Sequence, residues 1–157
     1  MTDWVRLTVP AVAIVAVASP AYAVQYLSVA EAQKLAFPAA TRFVDAGGGR
    51  AFKAQAGDKL LGLFVVDHVI GKHLYIDYAV SLDPGGRVHR VEILQYRESY
   101  GGEVRERGWL SQFVGKSSGS TLKLGSDIRN ISGATLSSLH VTEGVKRILA
   151  AYGNRVR

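Results

Sequence analysis

A threonine that precedes the last apolar segment of the chain is the residue with the clearest chemical potential. Thr135 ends the run Ser132-Gly133-Ala134-Thr135, which is followed by Leu136-Ser137-Ser138. From Leu136 onward, apolar residues recur with helical spacing, so we expect Thr135 near the start of a helix. A helix N-terminus carries free backbone N–H groups and about half a positive charge, and both favour a phosphate or a phosphodiester. The pattern therefore indicates a phosphate site at Thr135.

The residues around Thr135 suit the same chemistry. Gly133 would let a phosphate approach the backbone closely, and the hydroxyl groups of Ser132, Ser137 and Ser138 would donate hydrogen bonds to it. Small and hydroxyl-bearing residues before an apolar helix are, however, also typical of an ordinary N-cap. A motif this short does not separate the two interpretations. From the residues alone, a cofactor site and a simple helix cap both remain open.

The stretch Ser132-Gly133-Ala134-Thr135, with Leu136 and Ser137 after it, resembles the signature at which flavin mononucleotide (FMN) is attached to protein through a threonine phosphoester. The similarity continues through residues 88–94, 97–104 and 109–116. The family is the flavin-binding domain found in the C subunit of sodium-pumping NADH:quinone oxidoreductase and in the G subunit of the Rnf complex. The resemblance implies that Thr135 carries covalent FMN, that a separate magnesium-dependent flavin transferase attaches it, and that the function is electron transfer.

The resemblance also implies which residues lie near the flavin. In larger members of the family a Glu-Thr-Pro-Gly element lies against the flavin, and the corresponding residues here are Glu98-Ser99-Tyr100-Gly101. Tyr100 would stack on the isoalloxazine ring, and Gly101 would let the ring approach the main chain. The alternative interpretation is a surface ion pair between Arg97 and Glu98 beside a core tyrosine.

Lys116 and Asp127 are two further candidates. Lys116 would neutralise the FMN phosphate, or lie near the N1–C2=O edge of the ring and favour the anionic reduced form; the alternative is a solvated loop lysine. In the family an acidic residue usually precedes the threonine motif, and Asp127 is the candidate here. Val114-Gly115-Lys116-Ser117 also resembles the end of a P-loop, but that pattern requires a glycine where this chain has Leu110. Nucleotide hydrolysis is therefore excluded.

No other set of residues in the sequence supports a different chemistry. The four histidines lack the spacing of a zinc site, and no Ser/His/Asp arrangement is visible. The chain has no cysteine, which excludes thiol redox chemistry and thiolate metal sites, so any electron must reside on a bound cofactor. We expect an electron-transfer domain with no catalytic residue and no metal ligand of its own, rather than a substrate-specific enzyme.

The first 23 residues are typical of an export signal. Arg6 precedes an apolar run from Leu7 to Ala18, and residues 19–23 end in the small-x-small pattern that predicts cleavage after Ala23. We expect a signal peptide at residues 1–23, or an uncleaved anchor, and an FMN-binding domain at residues 24–157 in the periplasm or cell envelope. Its partner would be a membrane or periplasmic redox protein. The alternative is a non-redox exported binding module for another anionic ligand.

The net charge of +6 and the isoelectric point near 9.7 describe a basic protein. A basic surface favours an anionic cofactor, acidic protein partners or anionic lipid head groups. No run of Lys and Arg alternates with aromatic residues, so we expect no nucleic-acid partner.

These residues need a scaffold, and periodicity predicts a single α+β domain in which a twisted antiparallel sheet is flanked by helices. A capping box at Ser28–Glu31 begins a short helix that ends before Pro38. Alternating and β-branched residues predict three strands of a meander and, with lower regularity, a fourth brief strand, at residues 60–69, 73–82, 87–94 and 121–124. A short helix over residues 109–114 and a long helix from Leu136 to Gly153-Asn154 complete the prediction.

Overall fold

One antiparallel sheet with helices on both faces forms the fold, as the sequence predicts. A computed structural model describes residues 23–156, and within them the strand order is β1-β6-β5-β4-β3-β2. The strands are β1 (Val24–Gln25), β2 (Arg42–Gly47), β3 (Ala51–Ala56), β4 (Lys59–Ile70), β5 (Tyr75–Leu82) and β6 (Val88–Tyr96). The helices are α1 (Val29–Ala36), α2 (Arg107–Leu110) and α3 (Thr135–Tyr152), with 3-10 turns at Gly102–Arg105 and Ser111–Phe113.

The three long strands confirm the predicted meander. β4 pairs with β5 from Leu63↔Leu82 to Ile70↔Tyr75, and β5 pairs in turn with β6. β5 begins two residues later than predicted because residues 71–74 close as a turn, in which Gly71 N donates to Leu74 O over 2.8 Å. The end of β6 therefore lies at the same edge of the sheet as the β4–β5 turn.

Three strands were not predicted: the two-residue β1, which pairs with the end of β6, and the strands β2 and β3. β2 and β3 form a hairpin that extends the meander, and the carboxylate of Asp45 accepts hydrogen bonds from the backbone N–H groups of Gly47 and Gly49 at its turn. Most of their residues are Ala, Asp, Lys or Gly, which have low strand propensity, so the pairing of β3 with β4 and of β2 with β3 determines their conformation.

The predicted strand at residues 121–124 does not form. Leu124 makes only an isolated parallel bridge to Ile128. The carboxylate of Asp127 instead accepts hydrogen bonds from Leu122 N at 2.8 Å and Lys123 N at 2.6 Å, so this side chain satisfies the donors that a strand partner would take.

The two faces of the sheet carry separate apolar cores. Alternation along β4 sends Leu63 and Val65 into the core under α3, and Phe64 into the core under α1. α3 is fixed to the sheet by a polar contact as well, because Tyr78 Oη and Arg147 both donate to Asp67 Oδ2, at 3.1 and 2.6 Å. Burial, together with the Asp67 charge, raises the pKa of Tyr78, so its hydroxyl stays protonated and keeps donating.

The predicted helices at α1 and α3 are confirmed, and the helix predicted over residues 109–114 is divided between α2 and the 3-10 turn at Ser111–Phe113. Ser28 and Glu31 form the capping box of α1, and α3 ends before Gly153. No helix within residues 23–156 has both the length and the apolar character needed to cross a bilayer. The predicted signal peptide lies outside the described residues, apart from Ala23.

Candidate functional site

Thr135 is the first residue of α3, which confirms its predicted place at a helix start. The chain reaches it through a turn in which Ala134 N donates to Ile131 O over 3.0 Å. Gly133 adopts φ +81°, the value that the third position of a type II turn needs and that side-chain-bearing residues rarely adopt. An added Cβ at Gly133 would meet open space, so backbone conformation, rather than close packing, requires glycine here.

The start of α3 offers unpaired donors. Its N-cap, Ala134, supplies no side-chain hydrogen bond, and the first bond of the helix runs from Ser138 N to Ala134 O. Within residues 23–156, no side chain therefore accepts a hydrogen bond from the N–H groups of residues 135–137, as an N-cap side chain does in many helices. Thr135 is solvent-exposed. The simple N-cap interpretation of this motif is thus not what the structure shows.

Asn130 is a contact of Thr135 that the sequence did not suggest. Its side-chain Nδ2 donates to Thr135 Oγ1 over 3.1 Å. The turn at residues 131–134 brings the two side chains together, although they lie five residues apart. The sequence shows an amide side chain a few residues before the motif. It does not show that a turn brings this amide to the threonine hydroxyl.

A cleft of about 510 Å³ lies at this helix start, within the range of roughly 300–1,000 Å³ typical of small-molecule sites. Three segments form it: the β4–β5 turn, the loop after β6 and the beginning of α3. They contribute Lys72, His73, Glu98, Ser99, Tyr100, Gly133, Ala134, Thr135, Leu136 and Ser137. The structure thus brings together two segments, around Glu98 and around Thr135, that are more than thirty residues apart in the sequence.

Glu98 uses its carboxylate to hold the β4–β5 turn. Oε1 accepts hydrogen bonds from His73 N at 2.5 Å and from Leu74 N at 2.8 Å. Partial burial favours the protonated acid, but the backbone donors of this turn outweigh it and hold the pKa of Glu98 below its usual value. Arg97 pairs instead with Asp77 at 2.6 Å, so the alternative of an Arg97–Glu98 ion pair is wrong.

At Gly101 the loop after β6 packs closely against the start of α3. Its φ is +89°, and an added Cβ would lie 2.6 Å from Tyr96 Oη and 3.1 Å from Ala134 Cβ. Glycine is therefore required here for packing between protein segments. Tyr100, next to it, is 86% exposed and lines the cleft with its aromatic side chain.

The serines of the motif differ in their availability. Tyr96 Oη donates to the Tyr100 carbonyl, so the hydroxyl of Ser137 must be the donor in its 3.0 Å contact with Tyr96 Oη. Ser138 is buried and its hydroxyl donates to Ala134 O. These two hydroxyl protons are used inside the protein, contrary to their predicted donation to a phosphate, whereas Ser132 is exposed.

Lys116 and Asp127 are not part of the cleft. Lys116 Nζ lies 3.9 Å from Asp127 Oδ2, and backbone hydrogen bonds tie residues 115–116 to Val88 at the start of β6. Glu98 follows the opposite end of that strand, about 25 Å away at about 3.3 Å per residue. The predicted role of Lys116 at the phosphate or ring therefore needs correction: the lysine in the cleft is Lys72.

Lys72 and His73 are cleft residues that were not predicted, although the order of the strands contained a signal for them. The meander places the β4–β5 turn at the same sheet edge as the end of β6, where Glu98 follows. Residues of that turn were therefore predictable neighbours of the Glu98 loop.

A second cleft, of about 360 Å³, borders Asn130. It includes the side chains of Glu103 and Glu106 along with Arg129. Two carboxylates make it a poorer place for an anionic group than the cleft at Thr135.

Comparison with known proteins agrees with this geometry. A family model described as FMN-binding domain matches residues 71–150, which include every residue of the larger cleft. Among solved structures, NqrC from Shewanella oneidensis matches with a TM-score of 0.52 and 19% identity, over 71% of this chain and 66% of that chain. The match spans just under two thirds of that protein, and at this identity it shows a shared fold. No curated protein sequence matches significantly. Since the family model covers about half of the chain and the whole cleft, the chain belongs to the family of FMN-binding domains.

Proposed function

We propose that this protein is an exported electron-transfer flavoprotein that carries FMN linked through a phosphoester to Thr135. It would act in the periplasm or cell envelope and exchange electrons with a membrane or periplasmic redox protein. The observation that carries the proposal is the exposed hydroxyl of Thr135, at an uncapped helix start and on the wall of a cleft of about 510 Å³.

The residues present fit FMN. A phosphodiester keeps one negative charge, and the N–H groups at the start of α3 are the donors that such a group needs. The cleft beyond Thr135 offers the apolar side chain of Leu136 and the aromatic ring of Tyr100, which suit a flat heteroaromatic ring. When bound, FMN would supply one- or two-electron redox chemistry, and the protein would bind and orient it.

Attachment requires a second protein. Forming the Thr135 Oγ–P bond requires an activated donor, such as a flavin dinucleotide, whose pyrophosphate P–O bond breaks as the nucleoside monophosphate leaves. The hydroxyl proton must pass to a base, and the side chain that contacts Thr135 Oγ1 is Asn130, an amide that donates. We infer that a flavin transferase supplies the base, while Asn130 orients the oxygen.

The composition indicates that any electron would be carried by a bound group. The sequence has no cysteine, so the protein has no thiol that could carry electrons itself. A bound flavin would therefore be the redox group.

The attachment is tested by coexpressing the protein with a flavin transferase and denaturing it. We expect flavin fluorescence to stay with the denatured chain and to be lost in Thr135→Ala. Thr121→Ala is the matched control, because Thr121 is also an exposed threonine but lies outside the cleft. Flavin retained by denatured Thr135→Ala would contradict the proposal. A colourless protein from its own host would support the alternative, a non-redox binding module for another anion.

Export is tested separately. When the full chain is produced in a bacterium, we expect it in the periplasmic fraction with an N-terminus at Val24. A periplasmic chain that keeps its first residues would indicate an anchor, and a chain found only in the cytoplasm would contradict export.

A further inference from the structure

The cleft contains a cation that the threonine motif does not provide. Lys72 lies in the β4–β5 turn and lines the cleft beside His73. None of the ion pairs in the described part of the chain involves Lys72. Its ammonium group is therefore available to a ligand in the cleft.

The turn that carries Lys72 is held from two sides. Glu98 accepts hydrogen bonds from His73 N and Leu74 N, and Gly71 is packed so closely that an added Cβ would lie 2.9 Å from Glu98 Oε1. On the other side, His140 of α3 donates from Nδ1 to Ile70 O over 2.6 Å, since a carbonyl oxygen only accepts. The turn is thus fixed relative to both the Glu98 loop and α3.

The Glu98–Gly101 loop connects the other two segments of the cleft by contacts at its two ends. Glu98 contacts the Lys72 turn, and Gly101 packs against Ala134 at the start of α3. The Glu98–Gly101 loop therefore contacts both the turn that carries Lys72 and the start of α3. A phosphate on Thr135 would already be served by the N–H groups of α3, so Lys72 is placed for the remainder of the cofactor.

We propose that Lys72 is the cation that faces the flavin ring, and that Glu98 is a positioning residue that fixes the Lys72 turn without contacting the ring. This inference rests on the proposed function. Reduction places negative charge on the flavin, which a neighbouring ammonium group stabilises. Lys72 also offsets the negative charge that Glu98 brings to the cleft.

The test uses the full chain loaded with FMN by a flavin transferase, checked by intact mass, and titrated for its midpoint potential against reference dyes. In Lys72→Gln we expect the equilibrium constant of two-electron reduction to fall about tenfold, which is about 30 mV. Lys72→Arg should keep most of the wild-type potential. Lys34→Gln is the control, because Lys34 lies on α1 at the opposite face of the sheet. An unchanged potential in Lys72→Gln would overturn the inference.

Glu98→Ala separates positioning from direct contact by the sign of its effect. If Glu98 fixes the turn, its loss lets Lys72 move away from the flavin, so the midpoint potential falls. The midpoint potential of the Lys72→Gln/Glu98→Ala double variant should then be little lower than that of either single variant. If Glu98 acts on the flavin by its own charge, removing it raises the potential, which would overturn its positioning role. Circular dichroism of each variant checks the fold. A wild-type chain without the FMN mass would overturn the proposed function itself, whereas normal loading with unchanged potentials would overturn this inference alone.

Discussion

Asn130 donates a hydrogen bond from its side-chain amide to the hydroxyl oxygen of Thr135 over 3.1 Å. Both residues are exposed, so this contact does not belong to the core. The turn at Gly133 returns the chain so that the amide meets the first side chain of α3. The contact therefore holds Oγ1 of Thr135 in place, on an exposed side chain that another protein can reach.

Asn130→Ala should slow flavin attachment without weakening the fold. A hydrogen bond contributes about 1 kcal/mol, so we expect attachment by the transferase to slow about five- to tenfold. Stability should change by less than about 0.5 kcal/mol, because the residue is exposed. The time course of flavin incorporation measures this rate. Asn154→Ala is the control, because Asn154 is an exposed asparagine that follows α3. Equal rates in both variants would remove Asn130 from the site.

Gly101→Ala should destabilise the protein and distort the cleft. The new Cβ would clash with Tyr96 Oη, and φ +89° is unfavourable for alanine, so we expect a loss of about 1–3 kcal/mol. Gly108→Ala is the matched control: Gly108 is exposed in α2, has ordinary φ and has open space for a Cβ. Urea denaturation of both variants provides the comparison. A Gly101→Ala variant as stable as Gly108→Ala would show that the loop is not packed as described.

Glu98 should make stability depend on pH in the acidic range. Its pKa in the folded protein is below the ordinary value of 4.5, so the folded state resists protonation at this group. The stabilisation is present above about pH 4.5 and is lost as the pH falls through the folded pKa. We expect the stability difference between wild type and Glu98→Gln, both without flavin, to shrink between pH 6 and pH 3. A difference that stays constant with pH would show that the Glu98 charge does not hold the turn.

Much of the fold was predictable because its local signals agree with the tertiary structure. β4, β5 and β6 are rich in branched and aromatic residues and are separated by turn residues, and α3 has a continuous helical period. β2 and β3 carry a weaker signal, and their conformation comes from the pairing of β3 with β4 and of β2 with β3. Residues 121–124 show the opposite case. Their apolar alternation predicts a strand, but the Asp127 carboxylate accepts the hydrogen bonds of Leu122 N and Lys123 N, and no strand forms.

Site residues were predictable where the sequence around them determines their position, and not where separate segments of the chain come together. Thr135 could be placed at a helix start from its own neighbours, and the loop from Glu98 to Gly101 came from family resemblance. Lys72 and Asn130 depend on a sheet edge and a turn that bring distant residues together. Lys116 was predicted to lie near the flavin because its loop resembles a phosphate site. Backbone hydrogen bonds to the start of β6 instead place it at the end of that strand that lies away from the cleft.

The central claim is that Thr135 carries FMN through a phosphoester, and the intact mass of the protein purified from the organism that encodes it tests this most directly. We predict a yellow protein whose mass exceeds that of the mature chain by FMN less one water, with the added mass on the peptide that contains Thr135. An unmodified, colourless chain, or FMN attached to a different residue, would contradict the account.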